Sequence, residues 1–366
     1  MKPTPVMDGV VVFSSCTVDV VRNVFPPDFV YPKHFGEYCN EEKVLEFQVA
    51  IFTDDKNNRQ YGHLIGIDNQ LSLIVFTTKL WVSFFRYFMA KLAETYKQDQ
   101  KQFERTVDYF LHYKVSPSTT YISHPASNVL FGPIPPRSGI YTDAFGYLAS
   151  IDKNTLRCLL VSILNERRIV VVGNTNTEIS VAVLLLLEVI EPFEWVHLLI
   201  THLPSSMKSI TQSPMPYIIG MCRADFFEIN NDVIVFDVNS KTIKSTDVTT
   251  TQKDIDLFPK KLFDQLTDAI EEIDKMPKTQ KEKRELYKIK FTQFIWAIIE
   301  QVNKEVELSY ENDKVVGKFN EDSFIKNSDS DVQEFLKIFK RTSLLRNFVD
   351  RIVNDFAAHP LQSHFK

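Results

Sequence analysis

One stretch of this sequence, residues 155–220, constrains the fold more than any other. A segment with helical periodicity ends there in Glu166-Arg167-Arg168 and passes directly into the apolar run of residues 169–172. A second helical pattern follows, and two further strand-like runs come after it. Strands that are apolar along their whole length, alternating with helices, are typical of a parallel sheet covered on both faces. We therefore expect an α/β layer in the middle of the chain.

Hydrophobic periodicity predicts elements along the rest of the chain. The first part is predicted to hold strands at residues 9–13, 45–52, 60–67 and 71–76, followed by a helix at 81–96. The middle is predicted to hold helices at 154–165 and 177–191 and strands at 169–172, 195–200, 217–220 and 233–236. The last part is predicted to be helical, at 257–276, 281–306 and 331–354, the last of these being one helix or two.

The length of the chain allows more than one hydrophobic core, because it has 366 residues, of which 44 % are hydrophobic. Residues 116–139 are rich in Pro, Ser and Thr, which favours an irregular extended segment over a helix. We therefore expect an α/β protein of two lobes joined by a linker. Its predicted parts are an α/β lobe at 1–115, a linker at 116–139, an α/β module with a mostly parallel sheet at 140–240, and a helical part at 241–366.

Composition and motifs exclude several classes of function. The charged fraction of 24 % and net charge of −5 give no strong positive field that would attract nucleic acid. The cysteines form no C-x-x-C pair, and His197 and His202 lack the spacing of metal ligands, so we expect no metal site. No phosphate-binding glycine motif and no G-x-S-x-G motif is present, so we expect no cofactor and no covalent catalysis. The cysteine usage and the lack of a signal-peptide or membrane-spanning pattern favour a cytoplasmic protein.

Several conspicuous residues allow both a structural and a functional interpretation. Glu166, Arg167 and Arg168 stand at the end of a predicted helix, where an ion pair or a cap is expected, and contact with a partner stays open as the alternative. Phe193 and Trp195 have the spacing of one strand face and are expected to anchor the core.

Two further segments allow the same pair of interpretations. Pro214 and Pro216 stiffen the backbone on both sides of Met215, and such a loop either presents a surface or only seats the next strand. The basic residues at 278–290 are expected to form a solvated helix face, with contact to anionic lipid or an acidic partner as the alternative.

The order of motifs in residues 155–220 resembles the central module of the DENN domain family. In that family, a helix ending in a Leu-x-Glu-Arg motif leads into a buried strand, and Pro-Phe-x-Trp and Pro-x-Pro-Tyr-x-x-Gly segments follow. The matching residues are Glu166-Arg167, Pro192-Phe193-Glu194-Trp195 and Pro214-Met215-Pro216-Tyr217-Ile218-Ile219-Gly220.

The flanking parts of the chain resemble the other two DENN modules. Val24-Phe25-Pro26-Pro27, and Phe52-Thr53-Asp54-Asp55 followed by Tyr61-Gly62, are similar to the upstream module, which has a longin-like fold. Residues 335–342 are similar to the Phe-Leu-x-x-Phe-x-x-Thr motif of the helical downstream module, although Ser343 stands where the family often has Gln. The resemblance covers residues 11–353.

The resemblance implies a regulatory function. DENN domain proteins act mainly on Rab-family small GTPases and accelerate the release of GDP, so the expected activity is guanine-nucleotide exchange. Such an exchange factor needs no acid, base or nucleophile. It needs only to bind the nucleotide-free conformation of the GTPase more tightly than the nucleotide-bound one.

In the family, the GTPase lies in the groove between the longin-like lobe and the other two modules. Loops at the carboxyl ends of parallel strands are natural contact sites. Together with the proline-stiffened loop, they give the candidate GTPase-binding residues Asn174, Thr175, Thr201, His202, Met215, Arg223 and Asp225.

Two other functions remain open. Some relatives that combine longin and DENN modules stimulate GTP hydrolysis with an arginine finger, for which Arg137 or Arg223 would be the candidate. A non-catalytic adaptor would instead hold an already loaded GTPase or a membrane coat. Because no lipidation motif or amphipathic anchor is present, we expect a cytoplasmic protein whose recruitment to vesicle or endosomal membranes would be peripheral or driven by a partner.

Overall fold

A computed structural model of the protein describes most of its 366 residues. The described residues are 4–5, 7–14, 18–22, 47–53, 59–67, 71–115, 122–123, 130–131, 142–203, 205–226, 229, 232–311 and 314–358. The Pro-rich linker predicted at 116–139 and the motif at residues 24–27 lie largely or wholly outside these ranges.

The first lobe is built on a five-stranded antiparallel sheet with the strand order β3-β2-β6-β5-β4. The strands of this lobe are β1 (Thr4–Pro5), β2 (Gly9–Ser14), β3 (Val18–Arg22), β4 (Phe47–Thr53), β5 (Arg59–Gly66), β6 (Leu71–Thr77) and β7 (Lys114–Val115), of which β1 pairs with β7. The four predicted strands are confirmed, while β3 was not predicted. Strand β4 forms one edge of the sheet.

The described part of this lobe also contains the helices α1 (Val82–Gln98) and α2 (Gln100–His112). Asp99 separates them because its carboxylate accepts hydrogen bonds from the first backbone N–H groups of α2. The ring of Phe88 on α1 packs edge-on against Phe110 on α2, with 4.6 Å between ring centroids. Helix α1 confirms the predicted helix at 81–96, whereas α2 was not predicted.

The second lobe contains a five-stranded sheet with the order β11-β12-β10-β13-β14. Strands β11, β12, β10 and β13 are parallel, and β14 is antiparallel to β13. Its strands are β10 (Arg168–Gly173), β11 (Leu198–Ile200), β12 (Tyr217–Cys222), β13 (Val233–Asp237) and β14 (Thr242–Ser245), and its helices are α3 (Thr142–Ala149), α4 (Lys153–Leu164) and α5 (Asn176–Val189). The short pair β8 (Ile122–Ser123) and β9 (Leu130–Phe131) precedes them. The mixed α/β fold with a mostly parallel sheet is thus confirmed.

Both faces of this sheet carry buried apolar side chains, as the continuous apolar strands predicted. Ile169 and Val171 belong to a hydrophobic core that runs through both lobes. Val170 and Val172 point to the other face, where Met207 and Ile210 of the 3-10 segment Ser205–Gln212 pack against a smaller cluster. The sheet is therefore the central layer of the second lobe.

The strand predicted at 195–200 is shorter than expected, because β11 begins only at Leu198. Phe193 and Trp195 lie in the turn before it, and both are buried. Phe193 packs edge-on against Phe339 and Phe348, with ring centroids 5.2 and 5.4 Å away. The two residues are buried in the core as predicted, but they lie in a turn and not in a strand, and Phe193 anchors that turn to the helical part.

The last part of the chain is mostly helical and contains one β-hairpin. Its elements are α6 (Val248–Leu257), α7 (Lys260–Lys275), α8 (Gln280–Ile298), β15 (Val306–Glu311), β16 (Lys314–Phe319), α9 (Glu321–Asn327), α10 (Ser330–Phe339) and α11 (Ser343–Ala358). The helix predicted at 281–306 was too long, because α8 ends at Ile298 and a strand begins at Val306. The segment predicted at 331–354 is two helices.

Candidate functional site

The two lobes meet along β4, the edge strand of the first sheet. The hydroxyl group of Thr177 at the start of α5 donates a hydrogen bond to the backbone carbonyl of Phe47, at 2.8 Å. Thr201, directly after β11, donates a second hydrogen bond to the carbonyl of Val49. Alternate residues of an edge strand point their backbone groups outward, and side chains of the second lobe satisfy two of these acceptors.

Gly220 on β12 allows the Thr201 segment to lie this close. A Cβ atom at position 220 would collide with the backbone carbonyl oxygen of Thr201 and the side chain of Ile179. The backbone N–H of Leu203 also donates to the carbonyl of Gly220, at 2.7 Å. The glycine of the Pro-x-Pro-Tyr-x-x-Gly motif is thus required by a close approach of neighbouring backbone.

A third polar contact between the lobes comes from Arg59 at the start of β5. Its guanidinium group donates hydrogen bonds to the backbone carbonyls of Trp195 and of His197, the latter at 3.3 Å. Burial lowers the pKa of Arg59, and burial likewise raises the pKa of the adjacent Tyr61. Arg59 therefore holds the turn before β11 against the first lobe.

An open cleft of about 590 Å³ lies beside Arg59, where three parts of the chain meet. We call it the interlobe cleft. Its lining residues include Arg59, Tyr61 and Leu80 from the first lobe, Leu187, Glu191, Pro192, Phe193, Glu194 and Trp195 from the second, and Thr292, Trp296, Phe348, Arg351 and Ile352 from the helical part. Because β11 starts just after Trp195, the cleft lies toward the amino ends of the parallel strands.

An exposed tryptophan and an arginine stand in the helical wall of the interlobe cleft. Trp296 on α8 is 42 % exposed and meets Phe348 edge-on, with 6.1 Å between ring centroids. Arg351 on α11 donates a hydrogen bond to the backbone carbonyl of Pro192, at 2.7 Å. The indole is thus available to a partner, while Arg351 ties the wall to the turn opposite it.

Glu166 and Arg167 of the Glu-Arg-Arg motif link the end of α4 to the helical part of the chain. The Glu166 carboxylate accepts hydrogen bonds from the backbone N–H groups of Ser343 and Leu344 at the start of α11, and it lies 3.1 Å from His197 Nε2. Arg167 makes two hydrogen bonds, of 2.6 and 2.8 Å, to the buried carboxylate of Asp254 on α6. The contacts of these two residues favour the structural interpretation over direct contact with a partner.

Arg168, the last residue of the motif, lies 3.3 Å from a carboxylate oxygen of Asp232. A second hydrogen bond of its guanidinium group, at 3.4 Å, goes to the backbone carbonyl of Ser213. Arg168 is therefore engaged at the amino edge of the sheet.

The carboxyl edge of the parallel strands carries a polar cluster. Arg223, after β12, donates hydrogen bonds to Asn174 Oδ1 at 2.8 Å and to Asp237 Oδ1 at 2.6 Å. Asn239 accepts from the backbone N–H of Asn174, at 3.0 Å. The side chain of Thr175 caps α5 by accepting from Glu178 N. Asn174, Thr175 and Arg223 are therefore brought together, as expected for loops that follow neighbouring parallel strands.

The remaining candidate residues lie elsewhere. Thr201 and His202 are buried, with 1 % and 6 % exposure, and Thr201 makes the hydrogen bond to β4. Met215 is 59 % exposed but lies before β12, at the opposite edge of the sheet from Arg223. The side chain of Asp225 and all of Arg137 lie outside the described residues.

Sequence reasoning did not find the cleft-lining residues Arg59, Tyr61, Trp296 and Arg351. The signal that could have indicated Trp296 is its place on α8, a helix with many charged residues and therefore with an exposed face. Within the described ranges, no cluster of His, Cys, Asp and Glu could hold a metal ion. No described helix is both long and apolar enough to span a bilayer.

Comparisons with known proteins agree on one domain. The sequence model of the DENN (AEX-3) domain matches residues 69–241. The chain is 22 % identical over 239 residues to DENN domain-containing protein 1B of Mus musculus, a match that covers 62 % of this chain and 30 % of that protein. It is 23 % identical over 225 residues to DENN domain-containing protein 2A of Homo sapiens, which covers 57 % of this chain and 22 % of the relative.

A shorter match, 26 % identical over 103 residues, links it to DENN domain-containing protein 1A of Homo sapiens. The chain thus matches less than a third of the length of each of these relatives. The resemblance seen in the motifs of residues 155–220 is confirmed, because these residues lie within the part of the chain that matches the DENN domain.

Proposed function

We propose that this protein is a guanine-nucleotide exchange factor for a Rab-family small GTPase, which it binds in the interlobe cleft. The observation that carries the proposal is the composition of the cleft, which both lobes and the helical part build together around an exposed indole. A partner bound there would touch all three parts at once. The DENN domain supports a GTPase of the Rab type as that partner.

Exchange by this mechanism is a matter of differential binding. A surface accelerates GDP release if it binds the opened, nucleotide-free conformation better than the closed one. Arg59 and Arg351 donate their hydrogen bonds to backbone carbonyls that form the cleft, so they fix its shape. In this proposal the protein performs no covalent chemistry, and the rigid cleft is what pulls the switch regions of the GTPase out of place.

Trp296 is the proposed apolar anchor of the complex. Interface energies are concentrated in a few residues, and tryptophan, tyrosine and arginine are enriched among them. Tyr61 stands across the cleft from the helical wall and offers a second ring to the partner. Glu194, which is exposed, is the proposed rim contact that would orient a basic group of the GTPase.

The carboxyl-edge cluster of Asn174, Thr175 and Arg223 is proposed as a secondary contact. It includes the first turn of α5, which also contacts β4, so a GTPase spanning the lobes could reach it. For Thr201 and His202, we propose an indirect role, because both are buried and Thr201 bonds to β4, so that this segment would set the angle between the lobes. The module boundaries at 115, 139 and 240 remain part of the same proposal.

The test is the release of fluorescent GDP from a panel of Rab-family GTPases, with excess unlabelled GTP and increasing amounts of this protein. Acceleration in proportion to its concentration for one or two GTPases is the expected result. No acceleration across the panel by folded protein would overturn the proposal. We also propose that a GTPase partner recruits the protein to vesicle or endosomal membranes. Co-sedimentation with vesicles tests this recruitment separately.

Two alternatives would give different results with the same panel of GTPases. An arginine finger at Arg223 would increase phosphate release from the GTP-loaded form, and it would first have to break the pairing with Asp237 and Asn174. An adaptor would bind the GTP-loaded form without changing GDP release. The side chain of Arg223 is 46 % accessible, and this exposure is the observation that favours the first alternative.

A further inference from the structure

A buried carboxylate lies directly behind the wall of the interlobe cleft. Glu188, near the end of α5, has a side chain that is 1 % exposed. Its sequence neighbour Leu187 lines the cleft, as does Glu191 in the following turn. One of its oxygens, Oε1, lies 2.6 Å from Lys288 Nζ, while the other, Oε2, is buried without a hydrogen-bond partner. A half-satisfied buried carboxylate is costly to keep ionised.

Lys288, the partner of Glu188 in this ion pair, lies on α8. Its side chain is 33 % exposed, and its ammonium group lies 5.8 Å from the ring of Phe145 on α3. Thr292 and Trp296, one and two turns further along α8, both line the cleft. The Glu188–Lys288 ion pair therefore joins the helix carrying Trp296 to α5, while the apolar packing of α8 is mainly against α3 and α7.

We propose that Glu188 and Lys288 form a proton-operated latch, in which the ion pair seats α8 against α5 and protonation of Glu188 loosens α8 and shifts Trp296 in the cleft wall. The latch regulates the site of the proposed exchange function and rests on that function for its biological effect. The structural switch itself needs no GTPase.

The groups around Glu188 place its pKa near neutral pH. Burial raises the pKa of Glu188 to about 7, against the opposing hydrogen bond and charge of Lys288. The other charged groups that act on it are Glu191, in the turn after α5, and Glu285 on α8, and both raise its pKa further. Helix α3 faces the pair with the uncharged ring of Phe145. Glu188 is thus ionised above neutral pH and protonated below it.

The first experiment follows Trp296 fluorescence between pH 5.5 and 8.5 without any GTPase. The Trp296 signal is the part of the emission that Trp296→Phe removes. We expect a transition with a midpoint near pH 7. Glu188→Gln should abolish the transition, and the control Glu285→Gln should retain it, because Glu285 is exposed and does not line the cleft. A flat signal in the wild-type protein, or an unchanged transition in Glu188→Gln, would overturn the proposal.

A second variant, Lys288→Met, keeps the test decisive if Glu188→Gln folds poorly. Lys288→Met has no ion pair at any pH, so α8 should stay loosened and the Trp296 signal should remain at the low-pH value of the wild-type protein. A transition of wild-type size near pH 7 in Lys288→Met would contradict the latch.

Exchange assays then separate the latch from the proposed function. GDP release in the presence of the protein should change by up to about ninefold between pH 6 and pH 8, since the ionised fraction of a group with a pKa of 7 rises from about one tenth to about nine tenths. Each rate is corrected for intrinsic release at the same pH, and Glu188→Gln should remove the difference. If Trp296 titrates but no GTPase is accelerated at any pH, the proposed function fails and the switch stands. If exchange occurs but neither signal depends on pH, the latch fails alone.

Discussion

The Glu166 carboxylate accepts a hydrogen bond from the backbone N–H of Leu344, at 2.8 Å, so the end of α4 caps the start of α11. Glu166 has a φ of 52°, in the left-handed region where glycine is normally favoured. Its carboxylate lies at the positive end of the α11 dipole, which is a favourable place for a negative charge. The side chain therefore explains why a non-glycine residue occupies this strained position.

Replacing Glu166 should separate the two effects. Glu166→Ala loses the cap and keeps the strain, and it should lower the free energy of unfolding by about 1–2 kcal/mol. Glu166→Gly loses the cap but relieves the strain, so it should be about 1 kcal/mol more stable than Glu166→Ala. Urea unfolding measures both, with Glu334→Ala in an exposed ion pair as the control. The opposite order of Gly and Ala would show that the left-handed backbone at position 166 is not strained.

Trp296→Ala tests the proposed anchor. It should raise the concentration needed for half-maximal GDP release by about 10- to 30-fold, the range expected for an interface hot spot. Its melting temperature should stay close to that of the wild-type protein, because the indole is 42 % exposed. Ile289→Ala is the matched control, since Ile289 is also exposed on α8 but does not line the cleft. Equal losses in both variants would argue against a specific anchor.

His63 should make the protein sensitive to acid. Burial lowers its pKa to about 3, and its ring is stacked on Phe85 with 4.3 Å between centroids. Below pH 6.5, the unfolded chain binds a proton that the folded protein does not, so stability is full above that pH and lost as the pH falls toward 3. The slope from this group should approach about 1.4 kcal/mol per pH unit.

The measurement compares the wild-type protein with His63→Phe by urea unfolding between pH 4.5 and pH 7.5. Glu188, whose pKa is raised, contributes a slope of opposite sign, because its folded form holds a proton up to about pH 7. Both proteins are therefore studied in a Glu188→Gln background. An identical pH dependence in both would mean that His63 does not stay neutral in the folded protein.

Gly220→Ala should test the close approach beneath the lobe contact. The added methyl group has to displace the Thr201 backbone or Ile179, and such overpacking costs about 1–3 kcal/mol of stability. Gly146→Ala on α3 is the control, because its methyl group would meet only the Arg284 side chain, at 3.4 Å. That control should be neutral or stabilising by about 0.5–1 kcal/mol. If Gly220→Ala is equally well tolerated, the Thr201 backbone and Ile179 do not approach β12 as closely as described.

The parts of the fold that could be predicted from sequence are those whose signal is local. Strand β10 is a continuous apolar run after a helix, and the amphipathic helix α1 has a clear apolar face, so both were found. The hairpin of β15 and β16 alternates exposed and half-buried residues, a weaker signal, and it was missed in a part of the chain that was expected to be helical. Strand β14 is a short exposed edge and has almost no apolar pattern.

The candidate site could be predicted only in part, for a similar reason. Asn174, Thr175 and Arg223 follow parallel strands, and the topology alone brings them to one edge. The interlobe cleft depends on Arg59 and Trp296, which are far apart in the sequence and meet only through the packing of the two lobes. The sequence around Arg59 gives no signal for Trp296, and the sequence around Trp296 gives none for Arg59.

The hydroxyl groups that cover β4 have a consequence for how this protein can be handled. An uncovered edge strand is a template for pairing with another chain, and the β4 edge with its carbonyls at Phe47 and Val49 would be uncovered in a first lobe produced alone. In the whole protein, the hydroxyl groups of Thr177 and Thr201 occupy these two acceptors and so hinder pairing with another chain. A fragment that stops before the second lobe should accumulate as aggregates, and coexpression of the missing lobe should return it to the soluble fraction.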